Sequence, residues 1–354
     1  MYNNPKLGII QNSSGVLQVT EMGFENCMAY FTRTLYTAME WAVASGDNAP
    51  FVGHNAFIRR QALDDISYYD EDGPKKWWSE SHVSEDFDLS IRLNIRGYVV
   101  RLSTYHGSGF QEGVSLTIYD EINRWEKYMY GVNEIVFHSW QYILFRGPFT
   151  PMVYYFLRSN LRVTSKLSIM AYLFNYYAIA SAFPLTIINY FLLGLVKDVD
   201  KFYVSSWKVF IGVLVVFNGL APLGISMAKH RLGTNSYFLP AMIEAIKWTP
   251  LFALFFTGLS YHLCKAAVYH FFALDISWGA TSKEIGAWGR GLGLSKIIWN
   301  FRNLYIVLVA LIGAMIYFGL YAPAHLRITN VEAVGPLVVQ VTCHFLLPLL
   351  HFIV

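Results

Sequence analysis

The sequence predicts an α/β layer in its first third, followed by an α-helical region that crosses a membrane. Charged residues are frequent in residues 53–128, whereas residues 133–354 contain long uncharged runs. Only 14% of all residues are charged and 55% are hydrophobic, while a soluble domain carries about 25% charged residues. Part of the chain therefore lies in lipid.

The N-terminal part, residues 1–117, alternates between strand and helix patterns, which is typical of an α/β layer. Strands are indicated by short β-rich runs bounded by turn residues, and helices by apolar side chains at helical spacing. We expect this layer to have an exposed sheet edge. The predicted strands lie within 6–20 (two strands around a Ser-Ser-Gly turn), 51–58 and 98–102, the helices at 21–45, 61–66 and 86–94, and a loop at 67–80.

Residues 118–165 form helical, aromatic-rich segments that carry several charges and are interrupted at Gly147-Pro148. They contain no uncharged run of about 20 residues, which a membrane span needs. Amphipathic helices of this kind lie in the plane of the membrane surface. We therefore predict interfacial helices that lead into a membrane region at residues 166–354.

The membrane region contains four runs without Lys, Arg, Asp or Glu that are long enough to cross a bilayer. A fifth run, Trp248–Cys264, is shorter and has charged residues close to both ends. Lys and Arg are frequent between Ala228 and Asn303, and the positive-inside rule places such a segment in the cytoplasm. We therefore expect the fifth run in an interfacial segment, 240–285, and both chain ends in the cytoplasm. The predicted spans are 167–196, 209–228, 303–325 and 333–354.

An acidic pair, Glu85-Asp86, begins a predicted helix. The positive end of a helix favours a charged carboxylate, and such a base can take the proton of a sugar hydroxyl that attacks an anomeric carbon. A helix N-cap is the alternative role for Asp86.

Aromatic and basic side chains suited to sugars and phosphates follow in the sequence. Arg124 can bind a diphosphate through forked hydrogen bonds, and Trp125 can stack on the apolar face of a sugar. The alternative is an interfacial helix whose Arg and Trp side chains reach the membrane surface. Trp77 and Trp78 are further stacking candidates, with packing of their loop as the alternative.

Three segments together resemble family 2 glycosyltransferases, the group that contains cellulose, chitin and hyaluronan synthases. Ser84–Tyr98 is similar to the acceptor-side signature, and Gly53–Leu63 is similar to the Gly-x-x-Ala-x-x-Arg-Arg-x-Ala-Leu segment. Glu121–Trp125 resembles the Gln-x-x-Arg-Trp motif, with Glu121 in place of Gln. The stretch 112–120 resembles fungal members, which implies a cell-wall or capsule setting.

This resemblance implies a partial GT-A-like layer with Asp86 as general base and Glu85 as a supporting carboxylate. It implies that Gly53 allows close approach of the acceptor sugar. Trp278–Lys283 resembles the gating loop of processive synthases. In that role Thr281 would bond a phosphate oxygen and Lys283 would neutralise its charge.

The family holds Mg²⁺ or Mn²⁺ on the donor diphosphate with an Asp-x-Asp motif, and no such motif in a strand context precedes residue 84. Asp86-Phe87-Asp88 has the same letters, but helical spacing turns the two carboxylates apart. Residues 3–11 resemble the strand that follows the motif. We therefore expect the C-terminal part of a longer enzyme, inactive alone, whose metal ligands lie outside this chain.

The predicted function is a membrane β-glycosyltransferase that extends and extrudes a polysaccharide from a nucleotide-diphosphate sugar, with its catalytic part in the cytosol. The expected partners are this donor, the growing glycan and the lipid bilayer, and the net charge of +3 is too small to indicate nucleic acid. The plasma membrane is the expected location, with Golgi or ER membranes as alternatives. Two other functions stay open: a single transfer to a lipid acceptor, and a transporter or scaffold without chemistry.

Overall fold

The computed structural model describes residues 1–20, 22–44, 48–69, 73–104, 109–196, 206–231, 238–276 and 294–350. The chain divides into two compact units. Unit 1 contains Met1–Ala178 and His262–Gly289, and unit 2 contains Ile179–Tyr261 and Arg290–Ile353.

Unit 1 holds the strands, which are short and belong to the N-terminal part of the chain. They are β1 (Leu7–Ser13), β2 (Gly15–Val16), β3 (Ala56–Ile58), β4 (Tyr68–Tyr69), β5 (Lys75–Lys76), β6 (Val99–Thr104) and β7 (Gln111–Glu112). The main sheet of the described residues has the order β3-β1-β6, with β1 antiparallel to β3 and parallel to β6. β2 pairs in parallel with β7 and does not form a hairpin with β1.

Helices cover this sheet and continue to the end of the described chain. They are α1 (Gly23–Val43), α2 (Arg60–Ile66), α3 (Glu85–Ile95), α4 (Ile118–Val136), α5 (Trp140–Arg146), α6 (Pro151–Arg158), α7 (Val163–Leu195), α8 (Ser206–Val215), α9 (Ala221–Arg231), α10 (Phe238–Phe271), α11 (Leu294–Asn300), α12 (Arg302–Ile316) and α13 (Val331–Leu346). The predicted α/β layer followed by a helical region is confirmed.

The core of the layer is formed by apolar side chains from the sheet and from the two helices that follow β3. Ile9 and Val100 of adjacent strands pack with Phe51 and with Leu89 and Leu93 of α3, and all five are nearly inaccessible to solvent. Burial of this much apolar surface supplies the main stabilisation of the layer. It also fixes α3, which carries the acidic pair, against the sheet.

The segment predicted to be interfacial has two different kinds of helix. α4 buries much of its length, including Met129 and Val132, in unit 1. α5 has no buried residue, and Leu144 and Phe145 are each 87% exposed. The amphipathic pattern of α4 therefore serves the protein core, whereas α5 presents the apolar surface that we expect of an interfacial helix.

Four helical segments of the described residues are long and apolar enough to cross a membrane: Val163–Leu195, Phe238–Phe271, Arg302–Tyr321 and Val331–Leu349. The first, third and fourth agree with predicted spans. The predicted span 209–228 is helical but is divided by a π-helical turn at Val216–Leu220, and it is not among the four.

The second candidate, α10, contains the run that we expected in the interface. It is 34 residues long, about 51 Å at a rise of about 1.5 Å per residue, which exceeds the hydrocarbon core of about 30 Å. The charged residues close to the two ends of the short run lie within this longer helix. One of them, Lys265, has its Nζ 2.6 Å from the Glu126 carboxylate of α4, which also lies 2.8 Å from His262 Nδ1.

Candidate active site

Asp86 is the second residue of α3, and its carboxylate lies directly against Gly53. The N-cap residue of the helix is Ser84, so Asp86 is not the cap. Gly53 has a φ of +87°, and a Cβ atom placed on it would be 1.9 Å from Oδ2 of Asp86. A side chain at residue 53 would therefore displace the carboxylate. The carboxylate occupies the space that a side chain at residue 53 would need.

Trp78 adds an aromatic ring to this carboxylate. Its side chain forms a hydrogen bond with Asp86, and it remains 37% exposed. Because an indole N–H can only donate, Asp86 is the acceptor. The arrangement leaves part of the Trp78 ring accessible next to the candidate base.

The pKa of the Asp86 carboxyl lies above its ordinary value. Burial is the main cause, and the negative charge of neighbouring Glu85 adds to it. The Trp78 hydrogen bond and the charges of His54 and Lys127 act in the opposite direction without cancelling the rise. A carboxylate with a raised pKa holds a proton more strongly and is the better general base.

His54 is a neighbour of Asp86 that we did not predict from the sequence. Its Nε2 lies 2.8 Å from Oε2 of Glu112, and Tyr36 donates to the other Glu112 oxygen at 3.3 Å. The His54 side chain is 46% exposed. The sequence offered one sign of this role, because a titratable side chain directly follows the glycine that begins the Gly-x-x-Ala-x-x-Arg-Arg-x-Ala-Leu segment.

Arg124 and Trp125 are joined by Glu121, one turn earlier on α4. Oε1 of Glu121 accepts the indole N–H of Trp125 at 2.8 Å, and Oε2 lies 3.3 Å from Nη1 of Arg124. Arg124 also donates to Ser115 Oγ at 3.2 Å and to the Tyr128 hydroxyl at 3.0 Å. Glu121, which stands where the Gln-x-x-Arg-Trp motif has Gln, thus orients the side chains of Arg124 and Trp125.

The two members of the Arg-Trp pair differ in what they offer a ligand. Burial alone would lower the pKa of Arg124, but Glu121 and Tyr128 hold it above its ordinary value, so the guanidinium stays charged. Trp125 is only 7% exposed, and its ring packs near Phe31 and Tyr176, with centroids at 6.4 and 5.6 Å. Trp125 therefore presents far less surface than Trp78.

The second Asp of the Asp-Phe-Asp stretch has a separate, internal partner. Asp88 is 2% exposed, and its Oδ2 accepts from Arg92 Nε at 2.7 Å. Arg92 also donates to the Trp77 carbonyl at 2.6 Å, while the Trp77 indole donates to Asp64 Oδ1 at 3.2 Å. These bonds hold the Trp77-Trp78 segment against α3.

Helix α4 supports the start of α3 through two residues absent from our prediction. A Cβ atom on Gly131 would lie 2.1 Å from Ser84 Oγ, so only glycine allows this contact. Oε2 of Glu134 accepts the backbone N–H of Val83 at 2.7 Å. Burial raises the pKa of Glu134 to about 7, against the lowering effect of that hydrogen bond. No sequence motif marked either residue, because the contact joins segments far apart in the chain.

This geometry combines a carboxylate of raised pKa, a partly exposed tryptophan and a half-buried arginine on a helix that contacts the start of α3. The profile described as Glycosyl transferase family group 2 matches residues 1–196, more than half of the 354 residues. The chain belongs to this family. No curated protein matches it. Membership confirms a glycosyltransferase, which implies a sugar donor and a sugar acceptor.

Divalent metal ions are common in glycosyl transferase family group 2, so we asked whether residues of this chain fit one. In the described part of the chain, no group of three His, Cys, Asp or Glu side chains is placed to hold a metal ion. Asp86 faces Gly53 and Trp78, and Asp88 is paired with Arg92. These carboxylates do not fit a metal site. The predicted gating residues Thr281 and Lys283 lie outside the described residues.

Proposed function

We propose that this family member is a membrane-embedded, inverting β-glycosyltransferase that extends a polysaccharide from a nucleotide-diphosphate sugar and extrudes it. The observation that supports this best is the Asp86 carboxylate, which is held by Gly53 and Trp78 and has a raised pKa. A general base of this kind is what attack by a sugar hydroxyl requires.

In the proposed step, an acceptor hydroxyl oxygen forms a bond to the anomeric carbon of the donor. The bond from that carbon to the diphosphate oxygen breaks on the opposite face, which inverts the configuration. Asp86 takes the hydroxyl proton, and the nucleoside diphosphate leaves with the electron pair of the broken bond. Glu85 is the supporting carboxylate, because its charge raises the pKa of Asp86.

Arg124 is the proposed partner of the leaving diphosphate. Its charge is permanent, and Ser115 and Tyr128 hold its guanidinium in a defined orientation. A phosphate oxygen would compete with Glu121 for this guanidinium, so Glu121 tunes how strongly Arg124 engages the donor. Lys283 and Thr281 are proposed to assist from the predicted gating loop.

The acceptor sugar is proposed to stack on Trp78. Its exposed fraction and its bond to Asp86 place an aromatic face beside the base, and a sugar ring gains stacking contact there. Trp77 and Trp125 are both engaged by carboxylates through their indole N–H groups. We assign them the role of holding the Trp78 loop and the Arg124 helix.

The metal ion expected for this family, Mg²⁺ or Mn²⁺, would be held by ligands outside the described residues. The catalytic unit is proposed to face the cytosol, with the plasma membrane as its location and the cell wall as the setting of its product.

The test is Asp86→Asn, assayed in membranes with a panel of radiolabelled UDP-sugars. We expect transfer to fall by about 10²- to 10⁴-fold, the usual contribution of a general base. Glu80→Gln, an exposed carboxylate of the same region paired with Lys76, is the matched control and should leave transfer unchanged. Unaltered transfer by Asp86→Asn would overturn the assignment. A ladder of products supports polymer extension, whereas a single glycolipid supports transfer to a lipid.

A further inference from the structure

A cavity of about 830 Å³ lies in unit 1 at the end of the sheet opposite to the candidate base. Its lining includes Lys6 and Val99, at the amino ends of the parallel strands β1 and β6. The Gly53 loop packs at the other end of β1, where Gln11 donates to the His54 carbonyl at 2.8 Å. The cavity is therefore distinct from the candidate active site.

The lining of this cavity is strongly basic. It contains four cationic side chains and one carboxylate, Asp65, whose Oδ2 accepts from the Tyr98 hydroxyl at 2.5 Å. Guanidinium groups bind phosphate oxygens through paired hydrogen bonds, and the excess of positive charge favours an anion. The cationic residues are Lys6, Arg96, Arg101 and Arg162.

The same cavity lies at the start of the first candidate span. Arg162 directly precedes α7 and Ser165 lies in its first turn, and both line the cavity. Val163 and Leu167 of the same helix are apolar and 70% and 64% exposed. Basic side chains followed at once by exposed apolar ones match the boundary between phospholipid headgroups and acyl chains.

We propose that this cavity binds a phosphate group, and that an anionic phospholipid of the surrounding bilayer supplies it. The headgroup phosphate would lie among the four cations, and the acyl chains would follow the exposed apolar side chains of α7. Binding would tie unit 1 to the membrane at the first turn of α7. This role does not depend on the sugar-transfer chemistry.

The proposal is tested with the full chain purified in a neutral detergent, by titration with dioctanoyl phosphatidic acid. Dioctanoyl phosphatidylcholine is the zwitterionic reference, and sodium phosphate tests a free anion. Arg96→Gln combined with Arg162→Gln removes two cavity charges. Arg33→Gln combined with Arg60→Gln removes two exposed charges of the same unit outside the cavity and is the matched control. Arg96→Lys with Arg162→Lys keeps the charge.

We expect the cavity Gln variant to bind phosphatidic acid about 30-fold more weakly than the control, because the two substituted basic residues together contribute about 2 kcal/mol near a membrane surface. The Lys variant should keep most of the affinity. If sodium phosphate shows the same dependence and the lipid does not, the site exists but a free phosphate fills it, and the lipid assignment is overturned. If neither probe distinguishes the cavity variant from the control, the proposal is wrong.

Discussion

Gly53 and Asp86 lie so close that a Cβ atom on residue 53 would be 1.9 Å from the Asp86 carboxylate oxygen. Because the φ of Gly53 is +87°, an L side chain there is also strained. The two residues are 33 positions apart in the sequence, yet the position of the Asp86 carboxylate requires that residue 53 has no side chain.

Gly53→Ala is therefore expected to displace Asp86 and to reduce transfer by roughly the factor of 10² or more that removal of a general base causes. Gly73→Ala is the matched control, since Gly73 has the same φ of +87° and a Cβ atom placed on it would have no neighbour within 4 Å. Both variants should lose about 1 kcal/mol of stability from backbone strain. Equal activity of the two variants would show that the Gly53 contact is not needed.

The raised pKa of Asp86 predicts the acidic limb of the pH–rate profile. The base must be deprotonated, so kcat/KM should drop as the pH is lowered, with the midpoint of the drop above 3.8, the ordinary pKa of this group. Glu85→Gln removes the neighbouring negative charge and should move the limb to lower pH. If the acidic limb of Glu85→Gln, measured with the same donor, lies at the same pH as that of the native protein, the charge of Glu85 does not raise the pKa of Asp86.

Glu121→Gln restores the residue of the resembling motif and separates the two functions of Glu121. The Gln oxygen still accepts the Trp125 indole N–H, but Arg124 loses its ion pair. We expect KM for the nucleotide sugar to fall several-fold, because Arg124 becomes more available to the diphosphate. Glu121→Ala loses both bonds, and its free energy of unfolding should be lower by about 1–3 kcal/mol. An unchanged or higher KM in Glu121→Gln argues against a donor role for Arg124.

Glu134 predicts a pH dependence of stability. Its pKa rises from 4.5 to about 7 on folding, so the folded state favours the protonated form. The free energy of unfolding should therefore fall as the pH rises from 4.5 through about 7. Glu134→Gln should be more stable than the native protein above this range, on the order of 1 kcal/mol after screening by solvent, and no more stable below it. Thermal unfolding in detergent measures this, with Glu80→Gln as the control.

The candidate spans predict a topology that differs from the one derived from charge. α7 begins in unit 1 and ends in unit 2, whereas α10 begins in unit 2 and ends in unit 1. If both helices cross the bilayer and unit 1 is cytosolic, the segment between α7 and α10 begins and ends on the side of the membrane away from the cytosol. Arg231, the last described residue before α10, would then face away from the cytosol.

Cysteine labelling on intact cells checks this topology. A membrane-impermeant maleimide should label Arg231→Cys without permeabilisation, and it should label Gln61→Cys of α2 only after permeabilisation. The native cysteines, of which Cys27 is buried, set the background. Labelling of Arg231→Cys only after permeabilisation would instead support the predicted span at 209–228.

Regular local patterns were sufficient for most of the element boundaries. The helices predicted at 21–45, 61–66 and 86–94 are α1, α2 and α3 within a few residues, because apolar spacing and the stop at Gly97 act over one or two turns. The strand predicted over 51–58 is only Ala56–Ile58. Its first half is irregular, since Gly53 and Asn55 both have positive φ.

The candidate site was predictable as a set of residues and not as an arrangement. The order of Gly53, the acidic pair and the Arg-Trp pair identifies the family, and the match over residues 1–196 confirms it. The residues that complete the geometry, Gly131 and Glu134, carry no motif. Their role is visible only where α4 meets the start of α3.

The sequence by itself determined an α/β layer, a helical membrane region and a glycosyltransferase family, because these follow from periodicity, charge distribution and short motifs along the chain. Only the tertiary structure decided that Asp86 lies against Gly53, that Trp78 is more accessible than Trp125, and that α10 is long enough to be a candidate span. The physical reason is that burial, pKa and side-chain exposure depend on neighbours brought together by packing, and local sequence does not specify those neighbours.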